Sequence, residues 1–93
     1  MAITVRIPTV LRPAAGGQAV IAGAGSTIGE ILGAIAAEYP GVQPQLFNAD
    51  GSLHKFLNVY INDDDVRYLG GLEAPVADGD EVTLLPAVAG GDA

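Results

Sequence analysis

The chain has 93 residues, 49% apolar and 16% charged, with 11 acidic against 4 basic side chains and a formal net charge of -7. That length holds one domain and one small core, with little room for a deep water-excluding cleft. No cysteine is present, which excludes disulfides, thiolate zinc sites and cysteine nucleophiles, and the acidic balance disfavours nucleic acid and anionic membranes as partners.

A basic protein partner is compatible with this charge, although acidity also serves simply to keep a small protein soluble. The apolar stretches, such as 31–37, fall far short of the roughly 20 residues that a membrane-spanning helix needs. The opening MAITVRIPTV has no basic region followed by a long apolar one, so no secretory signal is expected and the expected location is cytoplasmic.

Ile3, Val5 and Ile7 alternate with Thr4 and Arg6, the period of a half-buried strand. Pro8 ends it, and Pro13 with Gly16 and Gly17 marks a turn. Residues 18–22 read as a second strand, which makes the first pair an antiparallel hairpin. Thr27 and Glu30 then have capping-box spacing, and Ile28, Ile31, Leu32, Ile35 and Tyr39 follow on one helical face, with Glu38 outside it. Pro40-Gly41 stops the helix. Gly29 and Gly33 inside it each cost about 1 kcal/mol relative to Ala, and their small size suits close approach to the sheet.

Residues 42–52 read as irregular, with Pro44, Asn48 and the turn pair Asp50-Gly51. Leu57, Val59 and Ile61 alternate with Phe56, Asn58 and Tyr60 as a further strand. Residues 62–65 form a tight acidic turn, and residues 66–68 read as a short return strand. Gly70-Gly71 turns the chain again. Asp78-Gly79-Asp80 turns it into a last strand, residues 81–85, closed by Pro86. Strand, strand, helix and strands again, with one main helix covering one face of a mixed sheet, is the α+β arrangement of a β-grasp domain. The expected domain spans residues 1–86. Residues 87–93, Ala-Val-Ala-Gly-Gly-Asp-Ala, have small side chains and no stripe to bury, and read as a flexible tail.

The familiar catalytic kits are missing. The one histidine, His54, stands beside Lys55 in a polar loop and reads as solvated. There is no GxGxxG and no GxxxxGK[ST] pattern, and the glycines at 23, 25 and 29 fit a strand-to-helix connection better than a phosphate loop. Asp63, Asp64 and Asp65 lack the ligand spacing of a calcium loop and read as a solvated turn, with docking of a basic partner as the functional alternative. Thr27 reads as a helix cap. No catalytic residue, metal site or bound cofactor is expected, and the chain is not expected to be an enzyme.

The tail offers different chemistry. From Pro86 to Gly91 an extended chain spans about 15–20 Å, so a terminal carboxyl could reach into another protein while the domain stays outside. Gly90 and Gly91 have no side chains to obstruct a narrow channel. A carboxylate is a poor acyl donor. A partner using ATP would have to activate it, for instance as an acyl-adenylate, before sulfide or persulfide attack leaves a thiocarboxylate.

The segments VADGDEVTLLPAVAGG, ITVRIPTVLRPAAGGQ, the helix capped by Thr27, and KFLNVYINDDDVRYLGGL together resemble the MoaD/ThiS sulfur-carrier family, and most nearly its CysO branch in actinobacteria. The resemblance runs in order over nearly the whole chain. It implies a ubiquitin-like β-grasp fold and a protein co-substrate whose last glycine is adenylylated by a ubiquitin-activating-type enzyme. It makes Gly91 the modified residue, Gly90 its matching neighbour, and Val88 and Ala89 the part of the tail that enters partner active sites. The implied partners are that adenylating or sulfurtransferase enzyme, a sulfur-accepting synthase and a zinc peptidase, in cysteine or secondary-metabolite biosynthesis.

Family members usually end at Gly-Gly, whereas here Asp92-Ala93 follows. The Gly91 carbonyl is then an amide and cannot be adenylylated, so cleavage between Gly91 and Asp92 is expected first. Two alternatives stand beside this reading. One is a ubiquitin-like modifier or binding module, for which Lys55, the only lysine, would be the one site of lysine-linked self-conjugation. The other is the small subunit of a molybdopterin synthase.

Overall fold

Alternation decides the first strand. Strand β1 (Ile3–Arg6) buries Ile3 and Val5 and turns Thr4 and Arg6 outward, as a period of two requires. The computed structural model describes residues 3–54 and 57–86. Phe56, Lys55 and the tail residues 87–93 therefore lie outside the described residues. Strand β2 (Val20–Gly23) pairs antiparallel with β1, Val5 opposite Ile21, so the expected hairpin is present.

The connection between them is more than the expected turn at Pro13. Thr9–Ala15 is a 3-10 helix with Pro13 inside it, and it buries Leu11 and Ala15. Pro8 enters at φ -68 and Gly16 leaves at φ +71. Glycine at that exit avoids the strain of a side chain in the left-handed region.

Helix α1 (Ile28–Glu38) starts as its capping box directs. The Thr27 hydroxyl accepts from the Glu30 N–H at 3.2 Å, and Glu30 Oε1 accepts from the Ser26 N–H at 2.7 Å. Ile28, Ile31, Leu32, Ile35 and Ala36 are buried, while Glu38 is exposed. Close approach of helix to sheet occurs, but not at the two helical glycines. The Cβ of an alanine at Gly23, in β2, would lie 3.0 Å from Val5 Cγ2 and 3.2 Å from Ile31 Cγ2. At Gly29 it would meet the Leu72 carbonyl at 3.1 Å, and at Gly33 it would meet nothing within 4 Å.

Two segments differ from expectation. Residues 42–52 are not irregular throughout. A 3-10 turn at Pro40–Val42 leads into the single helical turn α2 (Gln43–Leu46), with Val42 and Leu46 fully buried. Pro40 and Pro44 sit in first-turn positions, where a missing N–H costs nothing, so these prolines start turns as well as stopping one. Residues 66–68 are not a return strand. Strand β3 (Leu57–Ile61) turns at Asn62, φ +56, and its return partner is the two-residue strand β4 (Asp64–Asp65). Val66–Tyr68 is a 3-10 turn, because the Asp65 carboxylate accepts from the Arg67 N–H at 2.9 Å and caps it.

Strand β5 (Glu81–Pro86) completes the sheet in the order β2-β1-β5-β3-β4. It runs parallel to β1 and antiparallel to β3. Val82 and Leu84 face the core with Val5, Val59 and the α1 stripe. The fold is the ubiquitin-like β-grasp, a mixed five-stranded sheet with one main helix across one face. No helix among the described residues is long and apolar enough to cross a membrane.

Candidate functional site: the root of the tail

The residues expected to carry function, Val88, Ala89, Gly90, Gly91 and Asp92, lie outside the described residues. The structure gives the platform from which they depart. β5 is a central strand, held on one side by β1 and on the other by β3, with Pro86 opposite Leu57. β1 pairs with it only as far as Thr83, so residues 84–86 are held by β3 alone and the other side of the strand end is open. Pro86 itself is exposed.

Two clefts meet at Pro86. The first has a volume of about 460 Å³ and runs along the sheet face away from α1, between the 3-10 helix and the end of β5; Val10, Arg12, Val20 and Leu85 are among its walls. The second, about 210 Å³, opens toward α2 between Val10, Pro44, His54 and Leu57. Arg12 is half-buried, and its Nε donates to the Ile7 carbonyl at 3.1 Å. That contact fixes where its charge is presented. Arg6, one strand in from Val20, pairs instead with Glu81.

His54 is not simply a solvated loop residue. It is half-buried and lines the second cleft. Its N–H donates to the Leu46 carbonyl at 2.8 Å, and its own carbonyl accepts from the Leu57 N–H at 3.0 Å. Alternation in β3 locates Leu57, but nothing in the local sequence places His54 against α2.

Asp63, Asp64, Asp78, Asp80 and Glu81 gather at the other end of β5. Asp63 and Asp64 are exposed on the β3–β4 turn. Asn62 joins that turn to the start of β5, its Nδ2 donating to Asp80 at 3.2 Å and its N–H to the Glu81 carbonyl at 2.6 Å. The Ala77 N–H, with Asn62, holds the Asp80 carboxyl below the usual carboxylate range. The Arg67 guanidinium does the same for Asp65, at 2.7 Å. At Asp50 the Ser52 hydroxyl is the main cause of a similar lowering. Among the described residues no group of three or more His, Cys, Asp or Glu side chains could hold a metal ion.

The clefts were not legible in the sequence as a site. Val10 sits in a segment that reads as a turn. Leu85 follows the inward-facing Leu84, so a doubled leucine at a strand end was the one available signal of an outward apolar side chain.

Comparison with known proteins agrees with this architecture. The ThiS family model matches residues 5–91. The chain is 50% identical to sulfur carrier protein CysO of Mycobacterium tuberculosis over 93 residues, covering 98% of this chain and 100% of that protein. A chain in the crystal structure of the Amycolatopsis orientalis BexX/CysO complex superposes with a TM-score of 0.88 at 49% identity, covering 97% of this chain and 100% of that one. Small archaeal modifier protein 3 of Haloferax volcanii is 38% identical over 66 residues, 71% of each protein. The protein described above, a β-grasp domain of the sulfur-carrier type that serves as a co-substrate and not as an enzyme, belongs to the ThiS family.

Proposed function

We propose that residues 1–86 form the carrier domain, that residues 87–93 form its flexible tail, and that sulfur travels on the carboxyl of Gly91. A zinc peptidase first cleaves between Gly91 and Asp92, because the Gly91 amide cannot be activated. A ubiquitin-activating-type partner then directs the freed carboxylate onto the α-phosphorus of ATP, and pyrophosphate leaves. Attack by sulfide on the acyl-adenylate expels AMP and leaves the thiocarboxylate. Val88, Ala89 and Gly90 thread the partner's channel. The chain itself binds no cofactor; ATP belongs to the activating enzyme. A synthase accepts the sulfur, in cysteine biosynthesis or in a secondary-metabolite route, in the cytoplasm.

The observation that carries this reading is the agreement of two features. β5 brings the chain to an exposed Pro86, and the family match continues beyond it through Gly91. The similarity to CysO favours cysteine as the destination.

Intact mass spectrometry tests it. With the peptidase, the adenylating enzyme, ATP and sulfide, the chain should lose Asp92 and Ala93 and then gain about 16 Da, sulfur for oxygen. Gly91→Ala should slow trimming or activation while leaving the thermal melt unchanged. Thiocarboxylate formed at Ala93 of the untrimmed chain would refute the scheme.

The similarity to an archaeal modifier protein favours one other reading, a ubiquitin-like modifier that uses the same carboxyl to form isopeptide bonds. Linkage of the chain to lysines of other proteins would establish that reading instead.

A further inference from the structure

We infer that the carrier meets its activating partner through the collar around Pro86, whose described lining holds no carboxylate, and that the receiving surface is apolar with a carboxylate facing Arg12. This rests on the sulfur-carrier reading and adds the chemistry of the docking surface. A net charge of -7 by itself points to a basic partner. The distribution of that charge points elsewhere.

None of the described acidic residues lines either cleft at the tail root, whereas Arg6 and Arg12 both line the first. Asp63, Asp64, Asp78, Asp80 and Glu81 cluster at the start of β5 or on the turn bonded to it. The six residues of that strand separate the two ends by about 17 Å. The long-range field therefore draws a basic surface to the end that carries no tail.

Three large apolar side chains stand out around Pro86: Val10 is 63% exposed, Val20 47% and Leu85 45%. Covering them removes water from Arg12 as well. Arg6 already has Glu81 as its ion-pair partner. Arg12 has no carboxylate partner among the described residues, and its Nε is tied to a neutral carbonyl. Its charge is thus held in place and left for an incoming group. A carboxylate on the partner satisfies it, whereas a cation there is repelled in a desolvated contact.

The test uses the chain ending at Gly91, which retains every described residue, with the purified adenylating enzyme of the same organism. ATP–pyrophosphate exchange is followed as carrier concentration varies. Arg12→Glu should raise the KM for carrier by about tenfold or more with saturating exchange changed less than about twofold, because the lost contact acts on encounter and docking. Val10→Asp should act in the same direction, and it covers the case in which Arg12→Glu does not fold. The Asp63→Lys, Asp64→Lys double variant should stay within about twofold of the parent, since those residues are remote from the collar.

The proposal is overturned if both collar variants leave KM unchanged, if Arg12→Glu lowers it, or if the Asp63/Asp64 variant has the larger effect. Absence of exchange with the parent chain would instead sink the carrier reading itself.

Discussion

The two faces of the sheet are built from the same strands and do opposite work. Toward α1, Val5, Val59, Val82 and Leu84 close against Ile28, Ile31, Leu32 and Ile35, all buried. Away from it, Val20, Arg6, Thr83 and Tyr60 align across four strands, exposed or half-buried, with Leu85 and Asn58 beside them. A residue's contribution therefore depends on its parity within a strand, and a one-residue slip would exchange the two roles. The covered face makes the domain stable. The open face, with the strand end at Pro86, stays exposed.

The sharpest way to break this contrast is to place a polar group on each face. Ile31→Asp should cost at least about 3 kcal/mol in urea denaturation, because an unpaired carboxylate enters the core. Val20→Thr, on the open face, should shift stability by less than about 0.5 kcal/mol. Comparable losses at the two sites would show that the open face is also structural.

A smaller effect separates the two helical glycines. Gly33→Ala meets nothing within 4 Å, so it should gain about 0.5–1 kcal/mol from helix propensity. Gly29→Ala places its Cβ 3.1 Å from the Leu72 carbonyl, so it should gain less or lose. Thermal melts of both variants decide this, and equal gains would mean that the segment at Leu72 yields freely.

The smallest effect concerns the acidic end. Asp80, Asp65 and Asp50 are held below their ordinary carboxylate range in the fold. Folding then releases protons in acid, and the stability these groups add is complete above about pH 4 and lost as pH falls through their lowered folded values. Melting temperature should therefore be flat in these groups from pH 5 to 7 and fall below pH 4. Asp80→Asn should shallow that fall, and an unchanged acid limb would remove Asp80 from the account.

Sequence periodicity reads one side of this molecule well. The α1 stripe, the Thr27 cap and the alternation in β1, β3 and β5 are local patterns, and each appears where its spacing places it. It reads the connections less well. At Val66–Tyr68 a capping carboxylate on Asp65 converts an apparent strand into a 3-10 turn. At Gln43–Leu46 the turn is fixed by burial of Val42 and Leu46, which depends on elements distant in the chain.

Local spacing in the chain is enough to place α1 and the inward faces of β1 and β3, because burial of a regular element must repeat with its period. The sequence also carries the Gly90-Gly91 pair and the family resemblance, which need no coordinates to read. The position of β5 between β1 and β3, with Val10, Arg12, Val20, His54 and Leu85 around its end and Asp63, Asp64 and Asp80 at the other, emerges from the folded chain alone. Those residues are scattered along the chain from position 10 to position 85. Strand order in a sheet follows from how the whole core closes, and no local spacing records it.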